Sequence, residues 1–147
     1  MYSLYCLLAV AAGTLIPLQA GLNAQLRLRL DNPFYATLAS VAVSLVSMGL
    51  FCLIARVPVP AWAAAAQTPW WVWTGGLVGV VYLFMVLMLA PKLGATVLIA
   101  SIIGGQMLIS LVLDQWGLIG FPVHPVSLGR IAGIVLLFAG VALIQRS

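Results

Sequence analysis

Charged side chains are what this sequence lacks most. The 147 residues include 6 Lys or Arg and 2 Asp or Glu, so charged residues make up only 5% of the chain. A soluble domain has about 25%. Hydrophobic residues make up 65% of the chain, and the mean hydropathy is +1.23. This composition excludes a soluble enzyme and a disordered segment. It also excludes a nucleic-acid-binding protein, because the positive charges are scattered and form no Lys/Arg run. We interpret the chain as an integral membrane protein.

Residues suited to catalysis or metal binding are also few. The only histidine is His124, and Cys6 and Cys52 both lie within apolar runs, where a thiol acts as a small packing group. No disulfide framework, metal site or cofactor site is expected. Asp31 and Asp114 fall in separate predicted loops on opposite sides of the membrane. With no cluster of reactive groups, the sequence predicts that the protein is not an enzyme.

Long apolar stretches predict a single domain, residues 1–147, of five transmembrane helices. A helix needs about 20 apolar residues to cross the bilayer core. Residues 77–89 and 95–103 are apolar on every face, which favours helices over the alternating pattern of barrel strands. The fold class is therefore an all-α membrane protein. The predicted spans are approximately residues 2–25, 34–54, 70–89, 94–113 and 128–144.

The distribution of charge gives only a weak prediction of orientation. Five spans place four positive residues on one side (Arg27, Arg29, Lys92 and Arg146) and two on the other (Arg56 and Arg130). The positive-inside rule puts the side with more positive charge in the cytoplasm, but the difference is small. One interpretation is that the chain inserts both ways and pairs antiparallel, which resembles the inverted repeats of many transporters. The other is a single fixed orientation with too few charges to reveal it.

The predicted spans contain amides but no charged residue at their centres. Gln19 and Asn23 are one helical turn apart and share a face with Arg27, while Gln106 interrupts the aliphatic fourth span. An amide in hydrocarbon must face protein or water. Gln19, Asn23 and Gln106 are therefore candidates to line a substrate cavity. The alternative is that they only hydrogen-bond between helices. The absence of a central carboxylate disfavours carboxylate-based proton coupling.

Other residues suggest structural roles. Glycines spaced four or seven apart allow close helix packing, and we assign this role to Gly75, Gly79, Gly129, Gly133 and Gly140. Asp114 ends the fourth span, where a carboxylate opposes the helix dipole and needs a compensating partner. Arg130 begins the fifth span on the same side. We predict a structural ion pair between Asp114 and Arg130.

Several motifs resemble the YdcZ-like family of the drug/metabolite transporter superfamily. They are Leu18-Gln-Ala-Gly-Leu-Asn-Ala24, Pro69-Trp-Trp71, Gly75-Gly-Leu-Val-Gly79, Gly104-Gly-Gln106, Ser110-Leu-Val-Leu-Asp-Gln-Trp-Gly-Leu-Ile-Gly120 and Arg130-Ile-Ala-Gly-Ile-Val-Leu-Leu-Phe-Ala-Gly-Val141. The resemblance implies a half-size bacterial inner-membrane protein of five helices. It also implies a relationship to each half of the ten-helix, inverted-repeat EamA-like transporters. Single-copy members of the family are similar to dual-topology proteins that pair antiparallel. The resemblance implies no substrate and no site residue.

Together these observations predict a transporter of a small polar or amphipathic organic solute. It would act by alternating access as an antiparallel homodimer in the bacterial inner (plasma) membrane. Its expected partners are a second copy, the lipid bilayer and the solute, but no nucleic acid. A non-transporting membrane scaffold and a passive channel are the alternative hypotheses.

Overall fold

The computed structural model describes residues 2–146, in which 87% of the chain is helical and no strand occurs. The all-helical class predicted from the sequence is confirmed. Five α-helices follow one another along the chain: α1 (Tyr2–Leu30), α2 (Pro33–Ile54), α3 (Trp62–Gln67), α4 (Gly75–Trp116) and α5 (Leu128–Arg146). Short 3-10 helices at Trp70–Thr74 and Leu118–Gly120 precede and follow α4.

A two-residue turn joins α1 to α2. Asp31 ends α1 with a positive φ of 49°. Asn32 then caps α2: its side-chain oxygen accepts hydrogen bonds from the backbone N–H groups of Phe34 (2.9 Å) and Tyr35 (3.3 Å). Pro33 occupies the first helical position, where a missing N–H costs nothing. The short turn brings α1 and α2 into contact.

The longest helix, α4, is interrupted at Gly94. Its 42 residues would extend about 60 Å as one straight helix, twice the thickness of the bilayer core of about 30 Å. At Gly94 the backbone has φ 73° and ψ 166°, a region open almost only to glycine. Residues 75–93 and 95–116 are therefore two helical stretches. Each is long enough to cross a membrane.

The predicted end of the third span differs from the observed break. The sequence places that end before Pro91 and Lys92, whereas the structure continues the helix through Pro91 and breaks it at Gly94. A proline removes one helical hydrogen bond but keeps a helical φ. The change of conformation therefore falls on the glycine that follows. At the start of the same span, Trp70–Thr74 forms a 3-10 helix before α4 begins.

The chain forms two compact units, one ending at Lys92 and the next beginning at Leu93. In residues 2–146, four helical segments are long and apolar enough to span a membrane, and division at Gly94 makes five. Even the best-covered segment has only 11% of its most apolar stretch buried within the chain. Lipid, or another protein, must cover most of the apolar surface because water would solvate it poorly.

Candidate functional site

The polar face of α1 contributes to the core of the first unit. Ala20, Asn23 and Arg27 lie at intervals of three and four residues, and Ala20 and Asn23 are buried while Arg27 is half-buried. Ala36 and Thr37 are the buried residues of α2, and Val86 and Leu87 of the first stretch of α4. Small side chains such as alanine let helices approach closely in a membrane. This core therefore combines close packing with a polar stripe.

Asn23 contributes a buried polar group that lacks a hydrogen-bond partner in this core. Its side chain is 6% exposed, and its Nδ2 amide has no hydrogen-bond partner within residues 2–146. By contrast, Thr37 donates its hydroxyl to the Pro33 carbonyl at 2.8 Å, so its polar group is satisfied locally. An unpaired buried donor costs about 1–3 kcal/mol. Within residues 2–146 the Nδ2 amide of Asn23 therefore remains an unpaired buried donor.

Arg27 bonds to a backbone carbonyl that a proline leaves free. Its Nη1 atom donates to the Leu87 carbonyl oxygen at 3.1 Å. In a regular helix that carbonyl would accept from the N–H of residue 91, but residue 91 is Pro91 and has no N–H. The Arg27 guanidinium of α1 thus supplies the hydrogen bond that the Leu87 carbonyl of α4 would otherwise lack. This contact fixes one end of the polar stripe.

An apolar pocket of about 370 Å³ lies between α2 and the first stretch of α4. The rings of Phe34 and Phe84 lie 4.9 Å apart at an angle of 33°, within the range of favourable aromatic pairs. The remaining lining residues are Thr37, Leu38, Val41, Val80 and Val81. The pocket has no charged side chain, so it suits an apolar group.

In the second unit, Asp114 and Arg130 join the end of α4 to the start of α5. Arg130 Nη1 lies 3.2 Å from Asp114 Oδ2 and also donates to the His124 carbonyl at 3.1 Å. The Asp114 carbonyl accepts from the His124 N–H at 2.8 Å, and the Gln115 side chain accepts from the Val126 N–H at 2.7 Å. These bonds hold the connecting loop. The ion-pair side chains remain 38% and 29% exposed.

A groove of about 470 Å³ extends along α4 and α5 from this ion pair. Its lining residues follow helical spacing on each side: Met107, Ser110, Leu111 and Asp114 from α4, and Arg130, Gly133, Ile134 and Leu137 from α5. Ser110 donates its hydroxyl to the Met107 carbonyl at 3.0 Å. The groove is charged at the loop end and apolar along the remainder.

The chain thus combines membrane-length helices with one buried amide and an ion pair at the ends of two helices, and a family comparison indicates the kind of membrane protein. Residues 4–143 match a family described as "Putative inner membrane exporter, YdcZ". The chain belongs to this family. The resemblance found in the sequence is therefore confirmed. No curated protein and no solved structure matches the chain.

Membership in the YdcZ family also establishes the location. An inner-membrane family and four to five apolar helices identify a multi-pass inner-membrane protein, as the sequence predicts. The family description supports transport across this membrane at a coarse level.

Within this YdcZ-family chain, the three predicted cavity residues have different surroundings. Asn23 is buried in the first unit, and Gln19, on the same helix, is exposed. Gln106 belongs to the second unit and is also exposed. The two glutamines are therefore accessible to a ligand or to another molecule, and their role stays a prediction.

The glycines assigned to packing make little contact within the chain. A Cβ atom at Gly75, Gly79, Gly133 or Gly140 would have no neighbour within 4 Å, and at Gly129 only the Ser127 hydroxyl at 3.9 Å. Gly104 is the glycine on which another helix packs, since its Cβ position lies 3.2 Å from the ring of Phe138. The sequence signal for this was the interruption of an aliphatic run by Gly104 and Gly105.

Sequence reasoning also missed the contact between Arg27 and Leu87. The signal was present in Pro91, because a proline inside a helix frees the carbonyl of the residue four positions earlier. The sequence could identify Leu87 as the owner of that carbonyl. Only the packing of α1 against α4 identifies Arg27 as its partner.

Proposed function

We propose that the protein exports a small polar or amphipathic organic solute across the inner membrane. The observation that carries this proposal is the match of residues 4–143 to an inner-membrane exporter family. The amides of Gln19, Asn23 and Gln106 would contribute hydrogen-bonding groups to the transport pathway. Uncharged amides suit a neutral polar or amphipathic solute better than a bare cation, whose sites usually add carboxylate charge to carbonyl oxygens.

The proposed working assembly is an antiparallel homodimer of five-helix protomers, comparable to the two halves of a ten-helix EamA-like transporter. Two observations support it. The single chain leaves most of its apolar helix surface uncovered, and the five predicted spans would divide its positive charges four against two between the two sides of the membrane. Alternating access would then come from one helix bundle rocking against the other.

Asn23 provides the sharpest test of the transport pathway. Leucine has the same number of side-chain heavy atoms and the same branching as asparagine but no polar atom, so Asn23→Leu removes the unpaired donor without opening a cavity. We expect the variant to be as stable as the wild type or more stable, because an unsatisfied buried amide is lost. In vesicles screened with a panel of polar and amphipathic solutes, we expect its saturable efflux to fall about two- to tenfold, the effect of losing one hydrogen bond.

The matched control is Gln25→Leu, which removes an amide from an exposed position of the same helix. It should keep full efflux. If Asn23→Leu transports as well as the wild type, the amide serves packing alone, as the scaffold hypothesis requires. Efflux that rises linearly with solute concentration and never saturates would indicate a passive channel.

Orientation can be tested with charge variants. Arg56→Asn with Gln145→Lys changes the positive-residue balance from four against two to five against one. Asparagine tolerates the positive φ of 50° at residue 56. An opposite variant, with Val57→Lys, Val59→Lys, Arg29→Ala and Arg146→Ala, gives two against four.

Each charge variant alone should insert in one orientation and lose efflux, and the two expressed together should restore it. Full efflux from either variant alone would contradict the antiparallel assembly. That outcome would leave the test of Asn23 unaffected.

A further inference from the structure

We propose that the groove between α4 and α5 binds one zwitterionic phospholipid whose headgroup carries a primary ammonium, as phosphatidylethanolamine does. In this assignment Arg130 binds the phosphate, Asp114 binds the ammonium, and the apolar part of the groove holds an acyl chain. The proposal is independent of the transported solute.

The charges of the groove match such a headgroup. Asp114 and Arg130 together are neutral, and both remain partly exposed, at 29% and 38% of their side chains. The contacts of Arg130 with Asp114 and His124 both use Nη1. A guanidinium has five N–H donors, so others are available to a phosphate. The ion pair uses Oδ2 of Asp114, which leaves Oδ1 as an acceptor for an ammonium.

The order of polar and apolar groups along the groove is that of a lipid. Asp114 lies two residues before the end of α4 and Arg130 two residues after the start of α5, so the ion pair lies where these two spans are expected to reach the headgroups. The adjacent Trp116 is 65% exposed, as is typical of an aromatic anchor at the interface. Further into the membrane the lining residues are Leu111, Ile134 and Leu137.

The dimensions also suit part of an acyl chain. From Asp114 to Met107, or from Arg130 to Leu137, seven residues of helix extend about 10 Å. The groove is open midway because Ser110 and Gly133 are small, and Gly133 has no neighbour within 4 Å of a Cβ position. Beyond its apolar end, Phe138 packs against Gly104 and brings the helices together.

The test compares three lipids with identical acyl chains on the purified full chain in detergent. They are phosphatidylethanolamine, phosphatidylcholine and phosphatidylglycerol, and bound lipid is counted by native mass spectrometry. Phosphatidylcholine has the same net charge as phosphatidylethanolamine, but its ammonium has no N–H to donate. We expect phosphatidylethanolamine to bind about tenfold more tightly than phosphatidylcholine, because one charge-assisted hydrogen bond is gained.

Substitutions at Asp114 and Arg130 test separately how the ammonium and the phosphate of the headgroup are bound. Asp114→Asn should abolish the preference for phosphatidylethanolamine and leave phosphatidylcholine binding unchanged. Arg130→Gln should weaken the binding of all three lipids. Because either change could loosen the loop, each variant is first checked for an unchanged helical circular dichroism spectrum.

A matched pair of variants tests whether the groove binds an acyl chain. Gly133→Leu fills the groove, whereas Gly140→Leu places the same side chain on α5 outside it, and both positions have open space for a Cβ. Only Gly133→Leu should reduce lipid binding, by about tenfold or more, since it displaces several methylene groups.

Several results would overturn the proposal. They are equal binding of phosphatidylethanolamine and phosphatidylcholine, a preference for phosphatidylglycerol, or normal lipid binding by Gly133→Leu. Phosphoethanolamine, which has the headgroup without acyl chains, serves as a further probe. If it binds as tightly as the lipid, the groove is a site for a soluble zwitterion instead.

Discussion

Arg27 donates a hydrogen bond of 3.1 Å from Nη1 to the carbonyl oxygen of Leu87, sixty residues along the chain. The bond exists because Pro91 has no N–H to offer that carbonyl. A residue of α1 therefore completes the backbone bonding of α4. The same contact anchors the helix face on which Asn23 lies one turn away.

Loss of the Arg27 side chain should destabilise the protein. Arg27→Ala leaves the Leu87 carbonyl without a donor in a core where Leu87 itself is fully buried. We expect a cost of about 1.5–3 kcal/mol, typical of a hydrogen bond to a charged group. The measurement is reversible unfolding in detergent followed by circular dichroism. Arg29→Ala, at an exposed position of the same helix, should cost less than about 0.5 kcal/mol.

The role of Pro91 can be measured by a double-mutant cycle. Pro91→Ala returns an N–H to residue 91, so the Leu87 carbonyl regains a helical partner. In this background Arg27→Ala should cost less than in the wild type, with a coupling of about 1 kcal/mol or more between the two sites. If the two substitutions are additive, the guanidinium does not serve the carbonyl that the proline leaves free.

Gly94 should resist substitution because of its backbone. At φ 73° and ψ 166° a side chain is strained even though no atom lies within 4 Å of its Cβ position. Gly94→Ala should therefore cost about 1–3 kcal/mol of unfolding free energy. Gly105→Ala, at an open position in the regular part of α4, should instead gain about 0.5–1 kcal/mol. A neutral Gly94→Ala would show that the helix can pass this point unbroken.

Gly117 should resist substitution for two reasons that a second variant separates. Its φ is 58°, and a Cβ would lie 2.7 Å from Val123 Cγ2 and 3.1 Å from the Phe121 carbonyl oxygen. Gly117→Ala should be clearly destabilising in thermal unfolding. Adding Val123→Ala removes the side-chain clash and should recover part of the loss, leaving about 1–2 kcal/mol of left-handed backbone strain. No recovery would mean that the backbone contact dominates.

Asn32 should stabilise α2 through its cap. Asn32→Ala removes the acceptor for the Phe34 and Tyr35 N–H groups and should cost about 1 kcal/mol. Asn32→Asp keeps a side-chain oxygen at the same position and should cost little. Chemical unfolding of the three proteins in one detergent makes the comparison. Equal stability of the alanine and aspartate variants would contradict a capping role.

Part of the site was readable from the sequence because it depends on residues close together in the chain. The spacing of Gln19, Asn23 and Arg27 places them on one helix face wherever that helix packs. The burial of Asn23 and the exposure of Gln19 follow instead from which part of this face α2 and α4 cover. Helix packing decides which residues of this face become buried, and no local sequence pattern encodes that packing.

Composition and apolar length alone determined that this is an all-helical membrane protein. The reason is that in lipid every backbone group must be hydrogen-bonded within a helix or a closed barrel, and runs that are apolar on every face lack the alternation of barrel strands. Motifs along the chain were also sufficient to place it in its exporter family. Only the tertiary structure showed that Arg27 completes the helix bonding at Leu87, that Gly94 rather than Pro91 breaks α4, and that a groove extends from Asp114 and Arg130. These features depend on contacts between distant residues and on a backbone conformation. Apolar lipid-facing sequences scarcely distinguish such contacts, because packing rather than hydrophobicity selects helix partners in a membrane.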